Sequence, residues 1–484
     1  MSSATDFSLP PPERRIYCNR TLNMRSIKAV GFDMDYTLVH YRVEEWEGEA
    51  FELVRQRLVR RGWPVDSLAF DPDFVTLGLV IDRELGNVVK ANRFGYVTRA
   101  CHGTRMLDFE DQRRTYSRVV VELGDPRWVS MDTLFSLSEV SLYAQLVDLL
   151  DRGELGAALG YRDLHRIVRQ SMDEVHMMGA LKERLMKHPE RFVEPDPELP
   201  QALLDLKHAG KKLLVITNSE WVFTRAMMSY AIDRFLSPGT TWRDLFDLVI
   251  VQARKPVFFR TENPVFEIVD DEAGLLRPYT RRLDAGGIYL GGHAGLVERD
   301  LGLAGEEILY VGDHIYADVH VSKDVLRWRT ALVIRALERD LQAIQQFEPQ
   351  QGRLTRMMSE KADLERRYSG LRLQIQRIED GYGDISSGLS VERLRGQMQT
   401  LRGKLLQLDA AIAPLAQASG ELVNARWGLV TRAGNDKSHL ARQIEGSADI
   451  YMSRVSNLLH ETPFFYLRSP RGSLPHDHEP GGDV

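Results

Sequence analysis

Five short apolar runs stand out against a largely polar chain: IKAVGF (27–32), KLLVIT (212–217), DLVIV (247–251), EILYVG (307–312) and ALVI (331–334). Continuous apolar strands of this length belong to a sheet covered on both faces, and a parallel sheet is the usual case. Stretches with helical spacing separate several of them. PELPQALLDLKHAG (197–210) is one, and it ends on Gly210 as a helix C-cap does. Alternation of this kind predicts an α/β fold with a Rossmann-like parallel sheet.

The runs are unevenly spaced, because residues 33–211 lie between the first and the second. That stretch holds strand-like VTLGLVIDREL (75–85) and NVVKANRFGYVTRA (87–100), then helical patterns over 138–188. An insertion so large between consecutive core strands predicts a separate lobe that caps the sheet edge. After the last run the period changes. LERDLQAIQQF and LTRMMSEKADLERRYSGLRLQIQRI carry apolar residues at three- and four-residue spacing, GYGDISSG (381–388) interrupts, and VERLRGQMQTLRGKLLQL resumes the pattern. Two such helices predict an antiparallel hairpin, either a packed structural element or a subunit interface. The expected division is a flexible arm over 1–15, a catalytic core over 16–42 and 195–335, and a cap over 43–194. A helical hairpin over 336–412, a helical segment packing on the core over 413–470 and a disordered tail over 471–484 complete it.

Composition narrows the class. At 484 residues, 43% hydrophobic and 27% charged, the chain is an ordinary globular one, too long for a single small core. Lys plus Arg number 63 against 69 Asp plus Glu, so the basic excess of a nucleic-acid binder is missing and no such partner is expected. Cys18 and Cys101 are the two cysteines, which supply neither a disulfide framework nor a cysteine zinc site and fit a reduced compartment. The N-terminus MSSATDFSLPPPERR lacks the apolar stretch of a secretory signal, and no run reaches the roughly 18 residues of a membrane span. A soluble cytoplasmic protein without a membrane partner is expected.

The chemistry stands at the strand ends. The first run leads into Asp33-Met34-Asp35-Tyr36-Thr37, and the second ends in Thr217-Asn218-Ser219. Lys255 follows the third in ARKPVFF, and the fourth ends in Gly312-Asp313 with Asp318 five residues on. Ligands of open α/β sheets sit outside the carboxyl ends of the strands, so carboxylates, a hydroxyl and an ammonium converge on one edge. That set suits phosphoryl transfer. One carboxylate attacks phosphorus, and a second carboxyl protonates the leaving alkoxide and then activates water. Carboxylates and phosphate oxygens together hold Mg²⁺, and Lys and Thr side chains bind the remaining phosphoryl oxygens.

FDMDYTL (32–38), VITNS (215–219), ARKP (253–256) and GDHIYAD (312–318) resemble the four motifs of haloacid dehalogenase-type phosphatases. The longer strings NRTLNMRSIKAVGFDMDYTLVHY (19–41), VQARKPVFF (251–259) and LYVGDHIYADVHVSK (309–323) resemble the cytosolic purine 5′-nucleotidase family, the IMP/GMP-preferring type. The similarity runs with interruptions from about residue 15 to 475. It implies a haloacid dehalogenase-type core with a large inserted cap. It also implies Asp33 as nucleophile, and Asp35 as general acid/base that gives its backbone carbonyl to Mg²⁺. Thr217, Asn218, Ser219 and Lys255 would bind phosphate, and Asp33, Asp35, Asp313 and Asp318 would form the metal site. VRQSMDEVHMMGALKE (168–183) is similar to the family's base-binding helix. Arg169 and Asp173 would read the O6/N1 edge of a 6-oxopurine, an acceptor beside a donor. His176 and Lys182 would lie near sugar and phosphate, and Phe135 would stack on the base.

The expected activity is hydrolysis of purine nucleoside monophosphates (EC 3.1.3.5 type), with phosphotransfer to a second nucleoside open, by a homo-oligomer, dimer or tetramer. A non-catalytic phosphatase-like scaffold and a phosphatase for another small ester are the alternatives. Three departures from the family are visible. The tail ends in HDHEPGGDV rather than an acidic run, and Ser136 replaces an Asn beside Phe135. Asp324 follows Lys323 where regulated members carry a lysine of a polyphosphate effector site, although Arg329 is retained, so activation by ATP is not expected.

Overall fold

In a computed structural model of the chain, which describes residues 9–156, 158–177, 179–383 and 390–472, the five apolar runs become strands of one sheet. Its strands, in chain order, are β1 (Tyr17–Cys18), β2 (Ala29–Phe32), β3 (Lys212–Ile216), β4 (Leu248–Val251), β5 (Val265–Asp270), β6 (Leu275–Tyr279), β7 (Gly287–Gly291), β8 (Ile308–Gly312), β9 (Arg329–Val333) and β10 (Ile450–Met452). They lie in the order β1-β10-β9-β8-β2-β3-β4-β7-β5-β6. From β10 to β7 all neighbours are parallel, and antiparallel strands close both edges. The four motif-bearing strands β4, β3, β2 and β8 are thus side by side, and their loops open on one edge. This is the Rossmann-like parallel sheet expected of the haloacid dehalogenase type.

Burial explains which runs could be read. Every residue of β2, β4 and β8 is buried, and one face packs Leu214, Ile216, Ile250, Tyr289, Tyr310 and Trp328 into a single cluster. Each such side chain contributes about 1.5–3 kcal/mol, so these strands had to be apolar on both faces. β6 is largely exposed and β5 only partly buried, and neither carries a comparable run. The segment 413–470, expected to be helical, differs. It contains the helix His439–Ser447 but also the three-residue β10, which takes its place by pairing beside β9.

The chain leaves the core and returns to it through a two-stranded stem, with Tyr41 opposite Val193 and His40 opposite Glu194. Between these crossings lies the cap: a five-stranded sheet plus the helices Val43–Arg60, Leu137–Asp151, Tyr161–Met177 and Ala180–Lys187. The stretch 75–85 supplies only the strand Val80–Asp82. The stretch 87–100 splits into Asn87–Ala91 and Val97–His102 around a turn at Gly95, whose φ of +86° a side chain would resist.

Glu47, on the helix Val43–Arg60, is fully buried, and its Oε2 accepts from both Ser138 N and Ser138 Oγ at 2.7 Å. It therefore caps the start of the helix Leu137–Asp151. Burial raises its pKa to about 7 from an ordinary 4.5, against the two Ser138 hydrogen bonds. The folded state thus keeps a proton that the unfolded state loses between about pH 4.5 and pH 7, and the contribution to stability falls as pH rises through that window. Glu47→Gln keeps an acceptor for Ser138 but cannot ionise. Its stability relative to the parent is expected to improve from pH 5 to pH 8 in urea titrations; a difference independent of pH would show that Glu47 does not titrate in this range.

The described residues divide into two compact units, one of residues up to 339 with 430–470 and one within 340–429. The second is built on the helices Leu337–Asp380 and Val391–Gly420. Gln351 meets Ser419, Lys361 meets Asp409 and Glu379 meets Arg395, an opposite order that makes the pair antiparallel. Leu354, Leu364, Leu394 and Ile412 are buried in this unit. Residues 1–8 of the expected arm, 384–389 of the expected loop and 473–484 of the expected tail lie outside the described residues. Among the described residues no helix is long and apolar enough to cross a membrane.

Candidate active site

Asp33 follows β2 directly, and its backbone N–H donates to Val311 O on neighbouring β8 at 2.8 Å. The chain then turns sharply. Tyr36, buried, takes a φ of +53°, and the N–H groups of Thr37, Leu38 and Val39 all point to Met34 O at 2.9–3.2 Å. A non-glycine residue in the left-handed region is strained, and here the turn sets Asp33 and Asp35 on the sheet edge. The loop before Lys255 is built likewise, with Gln252 and Arg254 at φ +46° and +60°.

Lys255 organises the floor. Its Nζ lies 2.8 Å from Asp33 Oδ1, 2.7 Å from Asp318 Oδ1 and 3.0 Å from Tyr310 Oη, and its side chain is 2% exposed. The Lys255 backbone is locked to Asn218, with N donating to Asn218 Oδ1 at 2.6 Å and O accepting from Nδ2 at 3.1 Å. Asp318 packs on Gly312, where a Cβ would come within 2.6 Å of the Asp318 carboxyl carbon, so only glycine fits there.

Asp35 is held on both oxygens, by Tyr41 Oη at 2.6 Å and Ser219 Oγ at 2.7 Å. Asp33, Asp313 and Asp318 each bring one carboxylate oxygen into a group spanning no more than 4.8 Å. Burial pushes the Asp33 carboxyl up to about 7, against the pull of Lys255 and helped by Asp318 and Asp35. Burial, then Asp318 and Asp33, hold Asp313 well above the carboxylate range. Burial alone would depress Lys255, but the carboxylates of Asp318 and Asp33 outweigh it and raise its pKa. Four carboxylates against one ammonium make a pocket short of positive charge, which is the electrostatic condition for a cation.

Above this floor is a cavity of about 360 Å³ between core and cap. It collects Asp33, Asp35, Asn218, Ser219, Lys255, Asp313 and Asp318 from the core and Phe135, Arg169, Asp173 and Lys182 from the cap. Arg169 is half exposed, 2.9 Å from Glu139 Oε2 and 3.3 Å from Asp173 Oδ1. Lys182 Nζ reaches Glu220 at 2.6 Å and lies over the Phe223 ring. Phe135 is braced edge-on by Tyr36 and Trp46, with ring centres at 4.7 and 5.3 Å. One expected residue, Thr217, is not among those that line the cavity. Thr217 is fully buried below the cavity, its Oγ1 accepting from Ser219 N at 3.1 Å. His176 lies on the helix Tyr161–Met177, but its side chain is outside the described residues.

The cavity also has walls that sequence reasoning missed: Trp46, Thr133, Glu139 and His314. Thr133 Oγ1 reaches Asp313 Oδ2 at 3.4 Å, a direct tie from cap to core. None of these carries a sequence signal, because a lone Trp, Thr, Glu or His is ordinary until the fold brings it to the site. Away from this cavity, Lys323 and Arg329 are both taken by buried Asp449, at 2.8 and 2.7 Å.

Two buried carboxyl groups, a buried lysine and an acidic cluster at the carboxyl edge of a parallel sheet, beneath the cap, suit the hydrolysis of phosphoric monoesters. The chain belongs to the 5′ nucleotidase family, whose profile matches residues 16–479. It is 27% identical over 480 residues to human 5′-nucleotidase domain-containing protein 2, covering 96% of this chain and 85% of that one. The rat protein of the same name is 26% identical, with 96% and 80% covered. Solved structures of a haloacid dehalogenase-like hydrolase from Xanthomonas campestris and a HAD phosphatase from Thermococcus onnurineus match 63% and 64% of this chain, and 82% and 87% of their own. Their TM-scores are 0.25 and their identities 14% and 16%. Those likenesses are too loose to carry weight, and the strand order above is what defines the fold.

Proposed function

We propose that the protein is a magnesium-dependent 5′-nucleotidase that hydrolyses 6-oxopurine nucleoside monophosphates, IMP, GMP and their deoxy forms, with Asp33 as nucleophile. The observation that carries this reading is one cavity with Asp33 and Lys255 on its floor and Phe135, Arg169 and Asp173 on its cap wall. The floor suits a phosphate ester and the wall suits a purine.

An Asp33 carboxylate oxygen attacks phosphorus; the new O–P bond forms as the bond from phosphorus to the ribose oxygen breaks. Asp35 passes its proton to that oxygen, and the nucleoside leaves. Asp35, now a carboxylate, takes a proton from water, whose oxygen attacks phosphorus, releasing phosphate and restoring Asp33. A nucleoside hydroxyl in place of water gives phosphotransfer from the same aspartyl-phosphate. The Lys255 ammonium, Asn218 and Ser219 face the phosphoryl oxygens, and Thr217 supports them through Ser219 N.

Mg²⁺ fits the acidic cluster of Asp33, Asp313 and Asp318, with the Asp35 backbone carbonyl as the further donor that the family implies. When bound it would neutralise charge between the nucleophile and the phosphate dianion. At the base, Arg169 donates to O6 and Asp173 accepts from N1–H, a pairing that 6-aminopurines cannot match. His176 and Lys182 belong to the sugar and phosphate side. A cytoplasmic homo-oligomer completes this reading.

Phosphate release from a panel of nucleotides with Mg²⁺ tests it, and failure on every 6-oxopurine monophosphate would remove the substrate assignment. Arg169→Ala is expected to raise KM for IMP by about tenfold, the scale of one charge-assisted hydrogen bond. The effect on a generic aryl phosphate should be much smaller. Equal losses on both would mean that Arg169 does not read the base.

A further inference from the structure

The stem that joins core to cap also touches the acid. Tyr41 lies on the outgoing strand of the stem, opposite Val193 on the returning one, and is 2% exposed. Its hydroxyl donates to Asp35 Oδ1 at 2.6 Å, while Ser219 Oγ donates to Oδ2 at 2.7 Å. Two donors, one on each oxygen, fix the carboxyl plane, since a carboxyl group with both oxygens engaged cannot rotate freely. Tyr41 is anchored in turn. Its ring centre is 4.4 Å from that of Trp46, and Trp46 meets Phe135 at 5.3 Å; Tyr36 packs edge-on against both Tyr41 and Phe135, at 5.4 and 4.7 Å. An unbroken aromatic contact therefore runs from the cavity's cap wall, through Trp46, to the group that holds Asp35. Such close-packed contacts transmit position because they cannot deform continuously.

We infer that Tyr41 is the positioning residue for Asp35, setting where its carboxyl stands relative to the leaving oxygen and tying that position to the cap wall at Phe135. The inference rests on the nucleotidase reading, in which Asp35 protonates the ribose oxygen. It makes a chemical distinction. An alkoxide leaving group needs that proton as its bond to phosphorus breaks; p-nitrophenolate does not. Because kcat/KM covers only the steps up to release of the leaving group, it isolates proton donation from the later attack of water.

The test compares Tyr41→Phe with the parent on IMP, glycerol phosphate and p-nitrophenyl phosphate, in Mg²⁺ buffer. A misplaced acid costs about 100-fold, so the expected result is a fall of that order in kcat/KM for IMP and glycerol phosphate, with at least about tenfold less loss on the aryl ester. The ratio between substrates does not depend on how much of the variant is folded. Ser219→Ala, which removes the opposing donor, is expected to move the same ratio in the same direction. Equal losses on alkyl and aryl esters in both variants would overturn the role of Tyr41. If the parent cleaves glycerol phosphate but not IMP, the nucleotidase reading falls, and Tyr41 is judged on the remaining pair. A parent that cleaves no ester overturns both.

Discussion

Asp33→Asn is expected to lower kcat for every phosphate ester by at least about 10³-fold, the scale of losing a covalent nucleophile. The substitution is nearly isosteric. Asn can still accept from Met34 N, which now donates to Asp33 Oδ1 at 2.8 Å. What it cannot do is form an acyl phosphate, because an amide oxygen is a poor nucleophile and its nitrogen is not basic. Binding should survive better than turnover, since Lys255, Asn218 and Ser219 still line the cavity. Two measurements check this: steady-state phosphate release, and acid-quenched trapping of the phosphoenzyme, which should vanish in the variant. Full activity in Asp33→Asn would sink the assignment.

Lys255→Met is expected to cost both activity and folding. The ammonium is shared by Asp33 Oδ1 and Asp318 Oδ1. Its loss leaves two buried carboxylates facing each other, and breaking a buried ion pair from one side costs about 3–5 kcal/mol. The phosphoryl oxygens also lose a donor where transition-state charge collects, worth about 10²-fold in kcat. The pH dependence follows from the sign of the shifts. Asp33 already stands raised to about 7, by burial first, and without the ammonium that opposes this it stands higher. The folded variant then binds protons that the unfolded chain releases above about pH 4, so its stability recovers as pH falls and worsens as pH rises. Urea titrations in metal-free buffer at pH 5 and pH 8 would show it. A deficit of the same size at both values would mean that these carboxylates are not what Lys255 stabilises.

The charged floor of the cavity was largely legible, and the reason is topological. Asp33, Lys255 and Asp313 each follow an apolar strand of the neighbouring set β8-β2-β3-β4, and in a parallel sheet the ends of such strands share an edge, so position at a strand end becomes proximity in space. The cap wall was less so. Phe135, Arg169 and Asp173 were reached through resemblance, since a helix-surface Arg–Asp pair and a single Phe have no signal of their own. Tyr41, Trp46, Thr133 and Glu139 were not reached at all. Each meets the site through contacts between cap and core that no periodicity records. β5, β6 and β10 escaped for a different reason: the first two are not buried on both faces, and the last is too short to stand apart without its neighbour β9.

The sequence by itself determined the kind of sheet and the charged groups at its edge, because burial on both faces demands continuous apolar strands and leaves chemistry only at their ends. It also determined that a lobe interrupts the sheet, since a stretch as long as 33–211 cannot cross between adjacent strands without folding separately. The tertiary structure alone decided that Lys255 bridges Asp33 and Asp318, that Thr217 lies under the cavity rather than in it, and that the stem places Tyr41 against Asp35. Those are matters of side-chain direction within a few ångströms, set by which elements pack together, and packing partners far apart in the chain leave no mark on the pattern of either one.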